Sequence, residues 1–141
     1  MKSEVVRTLE HLVSMPTVSN RPVNEIAAYL ADRAEDAGFE VWRFQSSPGK
    51  INVVALAGPP TPGGLVLSGH MDVVPVDGQD WSSDPFRIRR ENDRLHGRGT
   101  CDMKGFIAAT VEAMTPDLVR SLRLPLALIW THDEEVGCLG S

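Results

Sequence analysis

Leu65-Val66-Leu67-Ser68-Gly69-His70-Met71-Asp72-Val73-Val74-Pro75 joins an apolar run to an abrupt ionisable end. Leu65 to Leu67 reads as a buried strand, carried through Ser68-Gly69 into His70 and Asp72. Side chains two apart in an extended segment point the same way. His70 and Asp72 therefore face one space, and Met71 turns back toward the core. In open α/β sheets, the space beyond the carboxyl ends of the strands is where ligands bind. Neutral imidazole is the commonest metal ligand, and a carboxylate accepting its other ring N–H fixes the tautomer and raises basicity. Taken alone, the pair is better explained as a loop histidine held by an acid for structural reasons. The case for chemistry rests on what the rest of the chain adds.

The chain has 141 residues and a formal charge of −5, with a pI near 5.3. That length gives one domain with a real core. No basic stripe or interleaved aromatics are present, which argues against nucleic acid and against an anionic membrane surface. Two cysteines, Cys101 and Cys138, give neither a disulfide framework nor a zinc knuckle, and read as small packing residues. They point to a reducing cytoplasm. Charges in Met1-Lys2-Ser3-Glu4-Val5-Val6-Arg7 occupy the place of a signal peptide's apolar centre, and no apolar stretch reaches membrane-spanning length.

Upstream of the opening stretch, Ser3 caps a predicted helix to about Met15, with Val5, Leu9, Leu12 and Val13 inward and Pro16 closing it. A Ser/Thr/Asn/Pro-rich loop from Pro16 to Pro22 leads to a second helix, Val23 to Ala37, ended by Gly38. Phe39 to Phe44 alternates with period two, and Ile51 to Leu56 is a β-branched apolar run, so two strands follow with Ser46 to Lys50 turning between them. Gly58 to Gly64 is a proline- and glycine-dense loop.

Downstream, Val76 to Pro85 is a long irregular loop near the mouth of the site. Phe86 to Arg89 and Arg94 to His96 form a small hairpin across Glu91-Asn92-Asp93. Gly97-Arg98-Gly99-Thr100-Cys101-Asp102-Met103-Lys104-Gly105 precedes a buried helix over Phe106 to Met114. This sets Asp102 near a helix N-terminus, where a carboxylate is favoured. Leu124 to Trp130 is a second apolar strand, delivering Thr131-His132-Asp133-Glu134-Glu135. The predicted fold is α/β, a mixed, largely parallel sheet flanked by helices.

In a parallel sheet the crossover puts both strand ends on one edge, so His70, Asp72, Asp102, Glu134 and Glu135 face one cleft. Clustered carboxylates repel one another unless a cation sits between them. Imidazole with carboxylates suits zinc, cobalt or manganese better than magnesium or calcium. One glutamate of the pair can bind metal while its neighbour takes a proton from activated water. His96 and His132 are more simply packing residues. Arg98 and Lys104 are open to two readings, contact with a substrate carboxylate or with a buried acid. No phosphate-loop pattern follows a strand, which excludes a nucleotide-binding domain.

Ser68 to Pro75, Trp81-Ser82-Ser83-Asp84-Pro85-Phe86, Gly97 to Gly105 and Asp133 to Gly140, in this order, resemble the dinuclear zinc amidohydrolases. That family includes acetylornithine deacetylase, succinyl-diaminopimelate desuccinylase, aminoacylases and glutamate carboxypeptidases. Pro75-Val76-Asp77-Gly78 and Glu134-Glu135-Val136-Gly137-Cys138-Leu139-Gly140 most resemble the deacetylase. The resemblance implies two Zn2+ ions, with Co2+ a possible substitute. It makes His70 a ligand of one ion, Asp102 the bridge, Glu135 a ligand of the other, and Asp72 the residue that orients His70. Glu134 becomes the general base that activates water against an acyl amide carbonyl, then the acid that protonates the departing amine. The implied substrate is a small N-acyl amino acid, N-acetylornithine yielding ornithine and acetate in arginine biosynthesis, with a homodimer as the complete form. A desuccinylase or other aminoacylase or carboxypeptidase is the alternative within the family, and a non-catalytic metal-binding fragment the alternative outside it. The resemblance covers roughly the first third of such a protein. Residues 1–141 are expected to be the N-terminal part of the catalytic domain, without the lid domain and the downstream ligands. A stop at Ser141, where a helix should begin, reads as truncation, and the chain alone as a poor enzyme.

Overall fold

The structure, a computed structural model, describes residues 3–140. Met1, Lys2 and Ser141 lie outside the described residues, and with them the first charges of the chain and its stop at Ser141. The elements run α1 (Glu4–Ser14), α2 (Asn24–Ala37), β1 (Glu40–Ser47), β2 (Lys50–Ala57), β3 (Leu65–His70), β4 (Arg89–Glu91), β5 (Arg94–His96), α3 (Lys104–Ala113), α4 (Pro116–Ser121) and β6 (Leu126–Thr131). Both long helices begin and end within a residue or two of the predicted bounds, because their apolar spacing and stop signals are local. Gly38 ends α2 in the left-handed region at φ 98°, its N–H reaching Ala34 O and Glu35 O. Ser3 is extended at the head of α1 but makes no side-chain cap, and Val5, expected inward, is exposed.

Four strands form one sheet in the order β1-β2-β6-β3. β1 pairs antiparallel with β2, β2 antiparallel with β6, and β6 parallel with β3. The sheet is mixed, as expected, but parallel pairing is confined to β3–β6. An apolar run reads the same in either sense, and β1–β2 is a hairpin closed by Pro48 and Gly49, which fixes them antiparallel. The one parallel pair matters most for function. His70 lies opposite Thr131 in register, so β3 and β6 end on the same edge.

One sheet face, carrying Val53, Ala55, Leu128 and Trp130, is buried under α1, α2 and α3 with Leu12, Ile26, Leu30, Ile107 and Val111. The alternate face carries Trp42, Phe44, Leu56 and Val66, all exposed. The hairpin β4–β5 turns through Asn92 and Asp93, both at positive φ, which matches the twist of its strands. β4 starts at Arg89, later than expected, because Phe86 and Arg87 are spent on a turn.

Candidate metal centre

His70 closes β3 and is nearly buried. Its Nδ1 lies 2.9 Å from the Asp72 carbonyl oxygen. A carbonyl only accepts, so Nδ1 carries a proton, and Nε2 is the ring nitrogen turned toward the acids. Nε2 is 3.0 Å from Asp102 Oδ1 and 3.8 Å from Glu134 Oε2. The imidazole is pushed up to about 9, first by the Asp72 side chain, against the burial that lowers it, and further by the Asp72 carbonyl and Asp102. Asp72 Oδ1 stands 3.6 Å from Nδ1, too far for a hydrogen bond, so the carboxylate acts on the ring through charge. The sequence expectation that this carboxylate holds the ring N–H is thus modified. The backbone carbonyl of the same residue holds it.

The Asp72 carboxylate is fully buried and does something else as well. Oδ1 accepts from the Glu134 N–H at 3.0 Å, and Oδ2 accepts from the Glu135 N–H at 3.2 Å and from Ser19 Oγ at 2.7 Å. Burial pushes this carboxyl up, but the nearby His70 ring and the bonds from Ser19, Glu134 and Glu135 outweigh it and hold it down to about 2. One residue at the end of β3 thus fixes the backbone that follows β6.

Asp102 precedes α3, with its side chain 72% exposed. The Asp102–Met103 peptide is cis. Gly99 at φ 82° lets this loop close onto the strand end, since a Cβ there would lie 2.8 Å from Val73 Cγ1. Glu135 sits in the turn after β6, its carboxyl pushed up by burial first and then by the charges of Asp102, Asp72 and Glu134, with His70 opposing. One donor atom each from His70, Asp102 and Glu135 lies within 4.8 Å of the others. Glu134 stands beside this trio. An imidazole nitrogen and two carboxylates converging, with neighbouring acids raising the Glu135 carboxyl, is a donor set that fits a divalent cation of the zinc type. Two such ions need more donors than these three.

Other expectations are corrected by the structure. Lys104 is fully buried and donates to Leu12 O (2.9 Å) and Met15 O (2.7 Å), so it contacts neither a substrate nor an acid. Burial pushes its ammonium down to about 7, with the Asp72 charge pulling the other way. Arg98 bonds Gln79 and stacks over Trp81, 5.2 Å from the ring centroid. Cys101 and Cys138 are free and exposed and do not pack in the core. Turns run over Glu135–Gly140, with Cys138 N–H to Glu134 O and Leu139 N–H to Asp133 O. His132 is buried between Ser46 Oγ (3.0 Å) and Asp133 Oδ2 (3.3 Å), away from the donor trio. Sequence reading missed Ser19 and Lys50, which bond Asp72 and Asp133. Neither lies on a periodic pattern, and only the polar density of the Pro16–Pro22 loop hinted at Ser19.

Fold and site together are those of an α/β protein with a His/Asp/Glu cluster spaced for a metal ion at the carboxyl edge of its sheet. Residues 66–141, more than half of the chain, match the Peptidase family M20/M25/M40, and the chain belongs to that family. Members of this family hold two zinc ions, and the His/Asp/Glu trio is compatible with part of such a centre. An M20 family metallo-carboxypeptidase, Sso-CP2 from Sulfolobus solfataricus, is 28% identical with a TM-score of 0.84, over 99% of this chain and 33% of that one. Human carnosine dipeptidase 1 is 29% identical with a TM-score of 0.82, over 96% of this chain and 33% of that one. Aminoacylhistidine dipeptidase from Vibrio alginolyticus, at 24% identity and a TM-score of 0.67, shares the fold. The chain spans about a third of the length of these structures. Among the described residues, no helix is long and apolar enough to cross a membrane.

Proposed function

We propose that residues 1–141 are the N-terminal part of a catalytic domain that hydrolyses an amide bond in a small peptide-like molecule. His70, Asp102 and Glu135 serve as metal ligands, Asp72 as the orienting residue and Glu134 as general base. The observation that carries this reading is the convergence of three donors within 4.8 Å, with the Glu134 carboxylate 3.8 Å from His70 Nε2. Zinc bound there, or cobalt in its place, supplies a Lewis acid that polarises the carbonyl and lowers the pKa of water. Glu134 accepts a proton from the attacking water at a carboxylate oxygen and delivers it to the departing amine nitrogen. One C–O bond forms and one C–N bond breaks. Asp72 keeps Glu134 aimed by holding its N–H, and the Asp72 carbonyl keeps Nε2 turned toward Asp102, where it would serve as a ligand.

Two substrate readings stand on different observations. The Pro75–Gly78 and Glu134–Gly140 motifs favour N-acetylornithine, and so a role in arginine biosynthesis. The likeness to a dipeptidase and a carboxypeptidase favours a dipeptide or peptide C-terminus. The remaining metal ligands, the lid and a homodimer contact belong to the other two thirds of such a protein, and the chain by itself turns over poorly. The cytoplasm suits the exposed thiols of Cys101 and Cys138. The test is a panel of N-acetylornithine, N-succinyl-diaminopimelate and dipeptides, offered with zinc to these residues within a complete catalytic protein. Glu134→Ala is expected to cut kcat by about a hundredfold or more with zinc retained. Turnover at the unaltered rate in Glu134→Ala would sink the assigned role.

A further inference from the structure

The segment between α1 and α2 supplies none of the three donors, yet it is tied to the residues that aim them. Thr17 Oγ1 donates to Met71 O at 2.6 Å, Val73 N–H to Thr17 O at 3.0 Å and Ser19 N–H to Val73 O at 2.9 Å. Val18 and Val73 form a parallel bridge. This short ladder lays Thr17 to Ser19 along the strand end that carries Asp72. The next residue, Asn20, donates its N–H to Asp133 Oδ1 at 2.9 Å. Lys50 Nζ joins both sides, donating to Arg21 O at 2.8 Å and to Asp133 Oδ1 at 2.7 Å. The loop therefore braces the end of β3 and the turn after β6 at once.

Its most direct hold on the site is Ser19. The residue is buried, and Oγ donates to Asp72 Oδ2 at 2.7 Å, with Val73 O a more distant partner at 3.3 Å. Oδ2 is also the acceptor for the Glu135 N–H, while Oδ1 accepts from Glu134. A carboxylate with partners on both oxygens has its plane fixed. Without the hydroxyl, one side of Oδ2 faces a buried space with no donor, and the carboxylate turns to recover one. We infer that Ser19 is a positioning residue. By fixing the plane of the Asp72 carboxylate it sets the backbone of Glu134 and Glu135, and through that backbone the aim of one acid that binds the cation and one that moves the proton. Outer partners of this kind change metal affinity or activity by about ten- to a hundredfold when removed.

The functional meaning rests on the roles proposed above for Glu134 and Glu135. The brace itself is testable apart from them, by amide hydrogen exchange on the isotope-labelled, metal-free 141-residue chain. Ser19→Ala is expected to speed exchange at the Glu134 and Glu135 amides by about tenfold. Amides in the β2–β6 ladder, such as Ala55 and Leu128, should keep their rates. Ser19→Thr, which retains the hydroxyl, should match the unaltered chain at both amides. Unchanged rates at Glu134 and Glu135 in Ser19→Ala overturn the inference. So does an equal rise throughout the ladder, or a rise in Ser19→Thr as large as in Ser19→Ala. Absence of metal binding in the unaltered chain would instead count against the proposed function and leave these exchange rates meaningful.

Discussion

Asp72 and Asp102 are both carboxylates at the site, and their surroundings give them opposite costs. Asp72 is buried and accepts from Ser19 and from the Glu134 and Glu135 amides. Asp72→Ala takes the acceptor from two part-buried amides and leaves the buried Ser19 hydroxyl only its longer contact to Val73 O, and unmade bonds of this kind cost about 1–3 kcal/mol each. We expect it to lower unfolding stability by about 3 kcal/mol or more in urea titrations. Asp102 is largely exposed and its one close opposite charge, His70 at 3.0 Å, is a solvent-screened partner, so Asp102→Ala should cost no more than about 1 kcal/mol. It should nevertheless abolish metal binding. A similar stability loss in both variants would contradict this division. His70, Asp72 and the glutamate pair were legible in the sequence because each ends an apolar run. Ser19 was not, because a lone serine in a polar loop carries no trace of the acceptor it meets 53 residues on.

The three main helices are joined by one acid. Glu112 on α3 accepts from Thr8 of α1 at 2.6 Å and from Arg33 of α2 at 3.0 Å. Burial pushes the Glu112 carboxyl up, but these bonds and the Arg33 charge outweigh it, leaving the pKa below the usual glutamate value. With a folded-state pKa below the unfolded one, the stabilisation is fully present above about pH 4.5 and is lost as pH falls through the folded value. Urea midpoints measured from pH 7 to pH 3 should therefore fall less steeply in Glu112→Gln than in the unaltered chain, and parallel curves would refute the assignment. At this scale the sequence was most informative about elements and least about their neighbours. Gly38, Pro16 and the Ala-rich spacing of α2 mark ends and faces locally. The insertion of β6 between β2 and β3, antiparallel to one and parallel to the other, depends on contacts more than 60 residues apart along the chain.

Across the whole molecule, one sheet face is covered by helices and the other leaves Trp42, Phe44, Leu56 and Val66 exposed. The donor trio sits at the carboxyl edge of the only parallel strand pair among the described residues. A hollow of about 570 Å³, lined by Leu65, Leu67, Leu118, Leu122 and Leu124, lies at the opposite end of those strands. β3, the loop before α3 and the turn after β6 together assemble the donors proposed to hold the ion. Calorimetric titration of the metal-free 141-residue chain with zinc, beside His70→Ala, tests it most directly. We predict one bound ion per chain, with affinity weakened by at least about tenfold in His70→Ala. No binding at millimolar zinc, or equal affinity in the two proteins, would contradict the account.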